Sequence, residues 1–179
     1  MSGEGADDRE PSPRGRRERP AVPAYQRALG LLVRREHSAT ELKRKLRGKG
    51  VEVDELDAAV ETLQRQGFQD DRRYAEALVR SRALAGQGPV RIRAELRVNG
   101  VPAADVDAAF EVAEADGLDW ADTAARVAAR FLPALRAAGR GAEAIKLRHK
   151  AVGFLLRRGF SQDQARQALA LRAEGDDEV

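Results

Sequence analysis

The side chains able to do chemistry are few, and their spacing excludes most of it. The 179 residues contain no cysteine, so thiol nucleophiles, disulfides and cysteine–metal ligation are ruled out. The two histidines, His37 and His149, lie far apart, which leaves little for a histidine-based triad or zinc site. Carboxylate chemistry is not excluded by counting. His37 stands beside Ser38 at a helix start with no acid and nucleophile arranged around it, so a structural or partner-contact role outweighs catalysis. Gly139-Arg140-Gly141 with Lys146 resembles a phosphate loop only faintly. The Walker spacing, the Ser or Thr after the lysine and the preceding strand are all missing. The expectation is a protein that is not an enzyme, with no catalytic residue and no metal site.

What the chain has in quantity is arginine, 27 residues against 5 lysines, with a net charge of +3. Codon usage and selection for bidentate recognition of acids both fit that excess. Aromatic residues make up 4% of the chain, a thin supply of stacking platforms for single-stranded bases. Tyr25 and Tyr74 fall on apolar stripes at matched positions and read as core. Trp120, near a helix start, fits either packing or an interface.

The charge is segregated along the chain. Residues 1–22 carry equal numbers of acids and arginines with almost no apolar content, which predicts a disordered tail. A second, acidic tail is expected at 173–179. Between them, a basic stretch at 34–49 is followed by an acidic one at 51–61, and 80–97 by 105–116; 126–158 is basic again. No apolar run approaches the roughly 20 residues of a spanning helix, and the first residues lack a signal-peptide apolar core. A soluble, cytoplasmic protein is expected.

These charges sit on a repeat. LKRKLRGKGVEVDELDAAVE (42–61) aligns with IRAELRVNGVPAADVDAAFE (92–111) at an offset of 50, and a weaker third copy follows at an offset of 59. Such self-similarity marks a tandem array of supersecondary units. Each unit reads as three helices. Tyr25, Ala28, Leu29, Leu32 and Val33 form one buried stripe of a first helix. Ser38 and Glu41 form a capping box for a second, which Gly50 ends. Leu56, Ala59, Val60 and Leu63 face the core from a third, which stops at Gly67. In the second unit Asp70 or Asp71 caps the first helix, Gly88-Pro89 opens the second and Pro102 the third. The last unit starts near Asp119, breaks around Pro133 and Gly139–Gly141, and closes with a capping box from Ser161 to Gln164. No period-2 strand occurs. The predicted fold is all-α: three tandem three-helix repeats, 23–69, 70–116 and 117–172, nine short helices in an elongated, curved array.

The basic second helices carry the candidate site. With Leu42 and Leu46 inward, Lys43, Arg44 and Arg47 point away from the core, and Arg93 and Arg97 occupy the places of Lys43 and Arg47. Two units would then present a cationic stripe, with the acidic third helices lying elsewhere. Such a stripe suits phosphate backbones or an acidic protein groove; a merely solvated face is the alternative.

RREHSATELKRKL (34–46), GFQDDRRYAEALVRSR (67–82), GPVRIRAELRVNGV (88–101) and FLLRRGFS (154–161) are similar, in order and spacing, to the RecX family of bacterial recombinase regulators. The resemblance covers about residues 24–171. It implies three tandem three-helix repeats that bind RecA filaments on single-stranded DNA, lodging in the filament groove. It also implies restraint of RecA's ATPase, strand exchange and co-protease activity, without a cofactor, a small-molecule substrate or a membrane. The family has no catalytic motif to transfer. The expected contact residues are the outward bases of the matching blocks, Arg35, Lys43, Arg44, Arg47, Arg91, Arg93, Arg97, Arg157 and Arg158. Lys146, Arg148 and Lys150 join them in the third unit, because Val152 and Leu156 there replace Arg93 and Arg97. The competing expectation is a direct DNA binder using helix-turn-helix-like basic helices.

Overall fold

The structure, a computed structural model, describes residues 23–170; both expected tails lie outside them. The described residues are helical, with no strand among them: α1 (Ala24–Leu32), α2 (Ala39–Arg47), α3 (Val53–Arg65), α4 (Asp71–Leu84), α5 (Pro89–Val98), α6 (Ala103–Ala115), α7 (Trp120–Ala128), α8 (Leu132–Ala138), α9 (Ala142–Arg158) and α10 (Gln162–Ala170). None is long and apolar enough to cross a membrane.

The punctuation follows side-chain chemistry. Asp70 is the N-cap of α4, accepting from the Arg73 amide, and Pro89 occupies the first turn of α5, where its missing N–H leaves nothing unpaired. Gly50, Gly67 and Gly100 each adopt positive φ just past a helix, a conformation that costs other residues about 1–2 kcal/mol. The Ser161–Gln164 box is reciprocal, each residue's side chain accepting from the other's amide. At Ser38 only half the expected box forms. Its hydroxyl accepts from the Glu41 amide, but the Glu41 carboxylate is drawn to Arg35, His37 and Lys45 instead of turning back to the cap.

Three cores correspond to the three repeats. Ala28, Leu46, Leu56 and Leu63 close the first. Tyr74, Val79, Ile92, Leu96, Val106 and Phe110 close the second. Leu155, Phe160 and Leu169, among several alanines, close the third. Each fully buried large side chain removes apolar area worth about 1.5–3 kcal/mol. Tyr74 is a core residue, as expected, while Tyr25 is only partly buried against the first core, with its hydroxyl donating to Gln66 at the surface. Trp120 settles on the second core, stacked 5.5 Å from Phe110 with Nε1 donating to Glu114 Oε1. It ties the third repeat to the second.

Two details of the expected fold are corrected. Val33 is 80% exposed because α1 ends at Leu32, one residue before it. The third repeat has four α-helices, so ten are present among the described residues where nine were expected. Pro133 explains the extra element. It has no N–H to extend α7, so the chain tightens through a 3-10 turn (Ala129–Phe131) and restarts as α8, which ends at Gly139 with φ 61°.

Candidate partner-binding spine

The repeat-equivalent helices α2, α5 and α9 meet end to end. At the first junction the N-terminus of α2 abuts the end of α5: Ser38 Oγ donates to the Asn99 carbonyl at 2.8 Å. Thr40 lies against Gly100, where a Cβ would overlap its hydroxyl. At the second junction the N-terminus of α5 abuts the end of α9. The Gly88 amide donates to the Arg158 carbonyl at 2.8 Å and the Val90 amide to the Gly159 carbonyl at 3.0 Å. Ser38 and Gly88 are repeat equivalents, as are Asn99 and Arg158, so one contact is made twice. At the second junction backbone donors of a helix start pair directly with acceptors of a helix end, whereas at the first the Ser38 hydroxyl is the donor; at both, opposite dipole ends face each other.

Side chains reinforce both junctions. Asp71, the residue beside the α4 cap, reaches across to accept from the Ala39 amide at 2.9 Å. Gln69 donates to the His37 carbonyl at 3.3 Å, and Arg73 pairs with Glu36. Asn99 Nδ2 donates to the Tyr74 hydroxyl at 3.0 Å. Beneath them lies Glu41, 6% exposed. Its carboxylate pairs with Arg35 at 2.6 Å, with His37 Nδ1 at 2.8 Å and with Lys45 at 3.4 Å. Burial pushes the Glu41 carboxyl up, but hydrogen bonds from Arg35 and His37 outweigh it and hold it at about 2. Burial lowers His37 below its ordinary value, against the opposing pull of Glu41. Burial, followed by the charges of Glu41 and Glu95, raises Tyr74 to about 12. At the second junction Arg126 donates to the Ala83 and Leu84 carbonyls and Arg158 to the Ala85 carbonyl at 3.1 Å.

Against this frame the twelve candidate bases divide. Lys43 pairs with Asp57 at 2.8 Å and Arg93 with Asp107. These are repeat-equivalent bridges, so the acidic third helices flank the basic second ones instead of lying elsewhere. Arg93 also lies over the Phe110 ring, 4.2 Å from its centroid. Arg35 is committed to Glu41, and Arg158 is half-buried against Phe154 and the Ala85 carbonyl. Arg44 is exposed and steadied by Asn99 Oδ1 at 3.3 Å. Arg91 spans the second junction, donating to the Arg157 carbonyl at 3.3 Å.

Arg47 and Arg97 are exposed with no carboxylate paired to them. Each opens onto a cleft: Thr40, Lys43, Arg44 and Gly48 beside Arg47, and Arg93, Val101, Val106 and Asp107 beside Arg97. On α9, Lys146, Lys150 and Arg157 are exposed at helical spacings that share one stripe, while Arg148 lies on another side. The spine thus gathers most of the candidate bases on three abutting helices, with Arg35 and Arg158 turned to its joints. Glu41, Asp71 and Asn99, which fix the first joint, are residues that sequence reasoning missed. The Glu41 signal was visible only as the acid of a capping box. His37 has the structural role expected of it. No group of His, Asp or Glu among the described residues is placed to hold a metal ion.

Comparison with known proteins gives a consistent result along the chain. Residues 24–71, 70–109 and 121–169 match the families described as RecX, first, second and third three-helix domain. Regulatory protein RecX of Xanthomonas axonopodis pv. citri (strain 306) is 45% identical over 163 residues, covering 90% of this chain and 95% of the relative. Regulatory protein RecX of Stenotrophomonas maltophilia (strain K279a) is 45% identical over 162 residues, covering 90% and 94%. The crystal structure of RecX from Lactobacillus salivarius superposes with a TM-score of 0.65 at 21% identity, covering 82% of this chain and 92% of that one, a likeness of fold.

Proposed function

The chain belongs to the RecX family, and on that footing we propose that it binds the RecA filament on single-stranded DNA. There it restrains RecA's ATPase, strand-exchange and co-protease activities, in the cytoplasm, as a regulator of recombination, repair and the SOS response. The observation that carries this reading is the repeated end-to-end contact of α2, α5 and α9. A spine of equivalent helices presents equivalent positions at intervals, the form suited to a partner that is itself a repeating polymer. Several weak contacts along such a track add through effective concentration, so affinity is reached without a deep pocket. Arg44, Arg47, Arg97, Lys146, Lys150 and Arg157 are the cations that face outward for it, and the modules 23–69, 70–116 and 117–172 act as the units.

A second reading, direct DNA binding, has the Thr40, Lys43, Arg44 and Arg47 cleft in its favour, since a hydroxyl and neighbouring cations fit a phosphate. Co-sedimentation with bare single-stranded DNA, with RecA alone and with the RecA–DNA filament separates the two. The filament reading predicts strongest recovery with the filament at physiological salt. The DNA reading predicts equal recovery with bare DNA and a steep salt dependence.

A further inference from the structure

The outer face of α5 differs from the outer faces of the helices it abuts. Val90, Ala94 and Val98 recur at i, i+4 and i+8, so they share one stripe. Val90 is 59% exposed, Val98 is 72% exposed, and Ala94 between them is also open. The opposite side of the same helix buries Ile92 and Leu96 completely. A surface helix ordinarily carries polar residues opposite its core stripe, whereas α5 is apolar on both. In α2 the equivalent positions are Thr40, Arg44 and Gly48, and in α9 they are His149, Gly153 and Arg157. Single exposed apolar residues need no explanation. The neighbouring α9 also exposes Ile145 and Leu156, eleven residues apart, but three successive apolar residues in register at the centre of the spine, with no counterpart at the equivalent positions of either neighbour, do need one.

We infer that the Val90–Ala94–Val98 ridge of α5 docks into an apolar groove rimmed by carboxylates on the RecA protomer. This inference rests on the filament reading above and assigns the central helix to protein contact within it. The rim supports the assignment: Arg97 flanks the ridge on one side without a carboxylate partner, and Arg91 flanks it on the other. A valine ridge offers nothing to a phosphate, which needs donors or charge, but it fits the helix-in-groove mode of protein recognition. A second copy of this chain is a poor occupant, because a symmetric contact would bring arginine rim against arginine rim. The acidic tail, 173–179, offers only Ala173 and Val179 as apolar side chains, too little to cover a ridge of three residues.

Two charge-neutral changes test this in the full chain. Val90→Ser with Val98→Ser removes the apolar contact, and Ala94→Gln wedges the ridge while keeping a good helix former. Binding is read by fluorescence anisotropy on RecA-coated single-stranded DNA and on bare oligothymidylate, with circular dichroism confirming the fold. Both variants lose about tenfold or more in filament affinity and stay within about twofold on bare oligothymidylate. Parallel losses on both targets would assign the ridge to nucleic acid, and unchanged filament binding would make it a solvated face; either overturns the inference. If the unaltered chain failed to bind the filament, the filament reading itself would fall, and this one with it.

Discussion

Where the first repeat meets the second, a side-chain hydroxyl, Ser38 Oγ, donates to the carbonyl that ends α5; where the second meets the third, the equivalent donor is the Gly88 backbone amide. The first junction surrounds its contact with ionisable groups: Glu41, His37, Asp71, Arg73 and Glu36. The second makes its contact backbone to backbone, and the arginines around it, Arg91, Arg126 and Arg158, donate to carbonyls and not to carboxylates. A Cβ at Gly88 would overlap the backbone of Gly159 and Phe160, and one at Gly159 would overlap Arg91. The same meeting of helices is therefore held by a buried charge cluster in one place and by close backbone approach at two glycines in the other. The two junctions should fail under different insults.

The largest expected effect is at the glycine junction. Gly159 has φ 91°, and Gly159→Ala combines that strain with backbone overlap that no rotamer change relieves. We expect a loss of about 3 kcal/mol or more in urea unfolding. Gly100→Ala has comparable strain but meets the Thr40 side chain, so it costs less, about 2 kcal/mol, and about 1 kcal/mol returns when Thr40→Ala is added. An equal cost for the two glycine variants would dissolve the distinction between the junctions.

At the charged junction, Glu41→Gln leaves Arg35, His37 and Lys45 around a neutral amide. Breaking a buried ion pair typically costs 3–5 kcal/mol, but Arg35 is half-exposed, so we expect about 2 kcal/mol. A denaturation curve for this variant within error of the unaltered chain would show that the cluster is not what holds the joint.

The smallest effect is on pH. His37 has a folded pKa below its ordinary 6.5, so on acidification the unfolded chain takes up a proton before the folded one does. Its contribution is intact above 6.5 and falls as pH drops through that value towards the folded one. Glu41 extends the loss, because its folded value of about 2 lies below the ordinary 4.5. The thermal midpoint should be a few degrees lower at pH 5 than at pH 7.5, and His37→Gln should flatten that difference. A His37→Gln chain with an undiminished pH dependence would place the titration elsewhere.

Much of this architecture was legible in the sequence. The offset of 50, the caps Ser38, Asp70 and Ser161, the stops at Gly50 and Gly100, and the stripe of Leu56, Ala59, Val60 and Leu63 all act within a helix or its ends. Periodicity and capping report on that local scale directly. What escaped lies between elements. Asp71 caps the amide of Ala39, a residue 32 positions away, and spacing along one helix carries no trace of that. Lys43 and Asp57 looked like separate basic and acidic runs because the pattern does not show that α2 and α3 lie side by side. Glu41 satisfied a local motif, and the cluster that captured its carboxylate is assembled by the joint. Pro133 announced a break, but whether the chain would resume as a helix depended on Phe131 and Leu135 packing against the third core. The candidate bases were found by outward position alone, so the sequence could not separate Arg47 and Arg97 from Lys43, Arg93 and Arg35.

That separation gives the most direct test of the spine as a filament-contacting surface. Arg47 and Arg97 are repeat equivalents, exposed and free of carboxylate partners, whereas Arg93 is held by Asp107 and Phe110. Inhibition of RecA's DNA-stimulated ATP hydrolysis should be measured for the chain carrying Arg47→Glu and Arg97→Glu, with its fold verified by circular dichroism. The account predicts that inhibition is largely relieved; full inhibition by the folded double variant would contradict it.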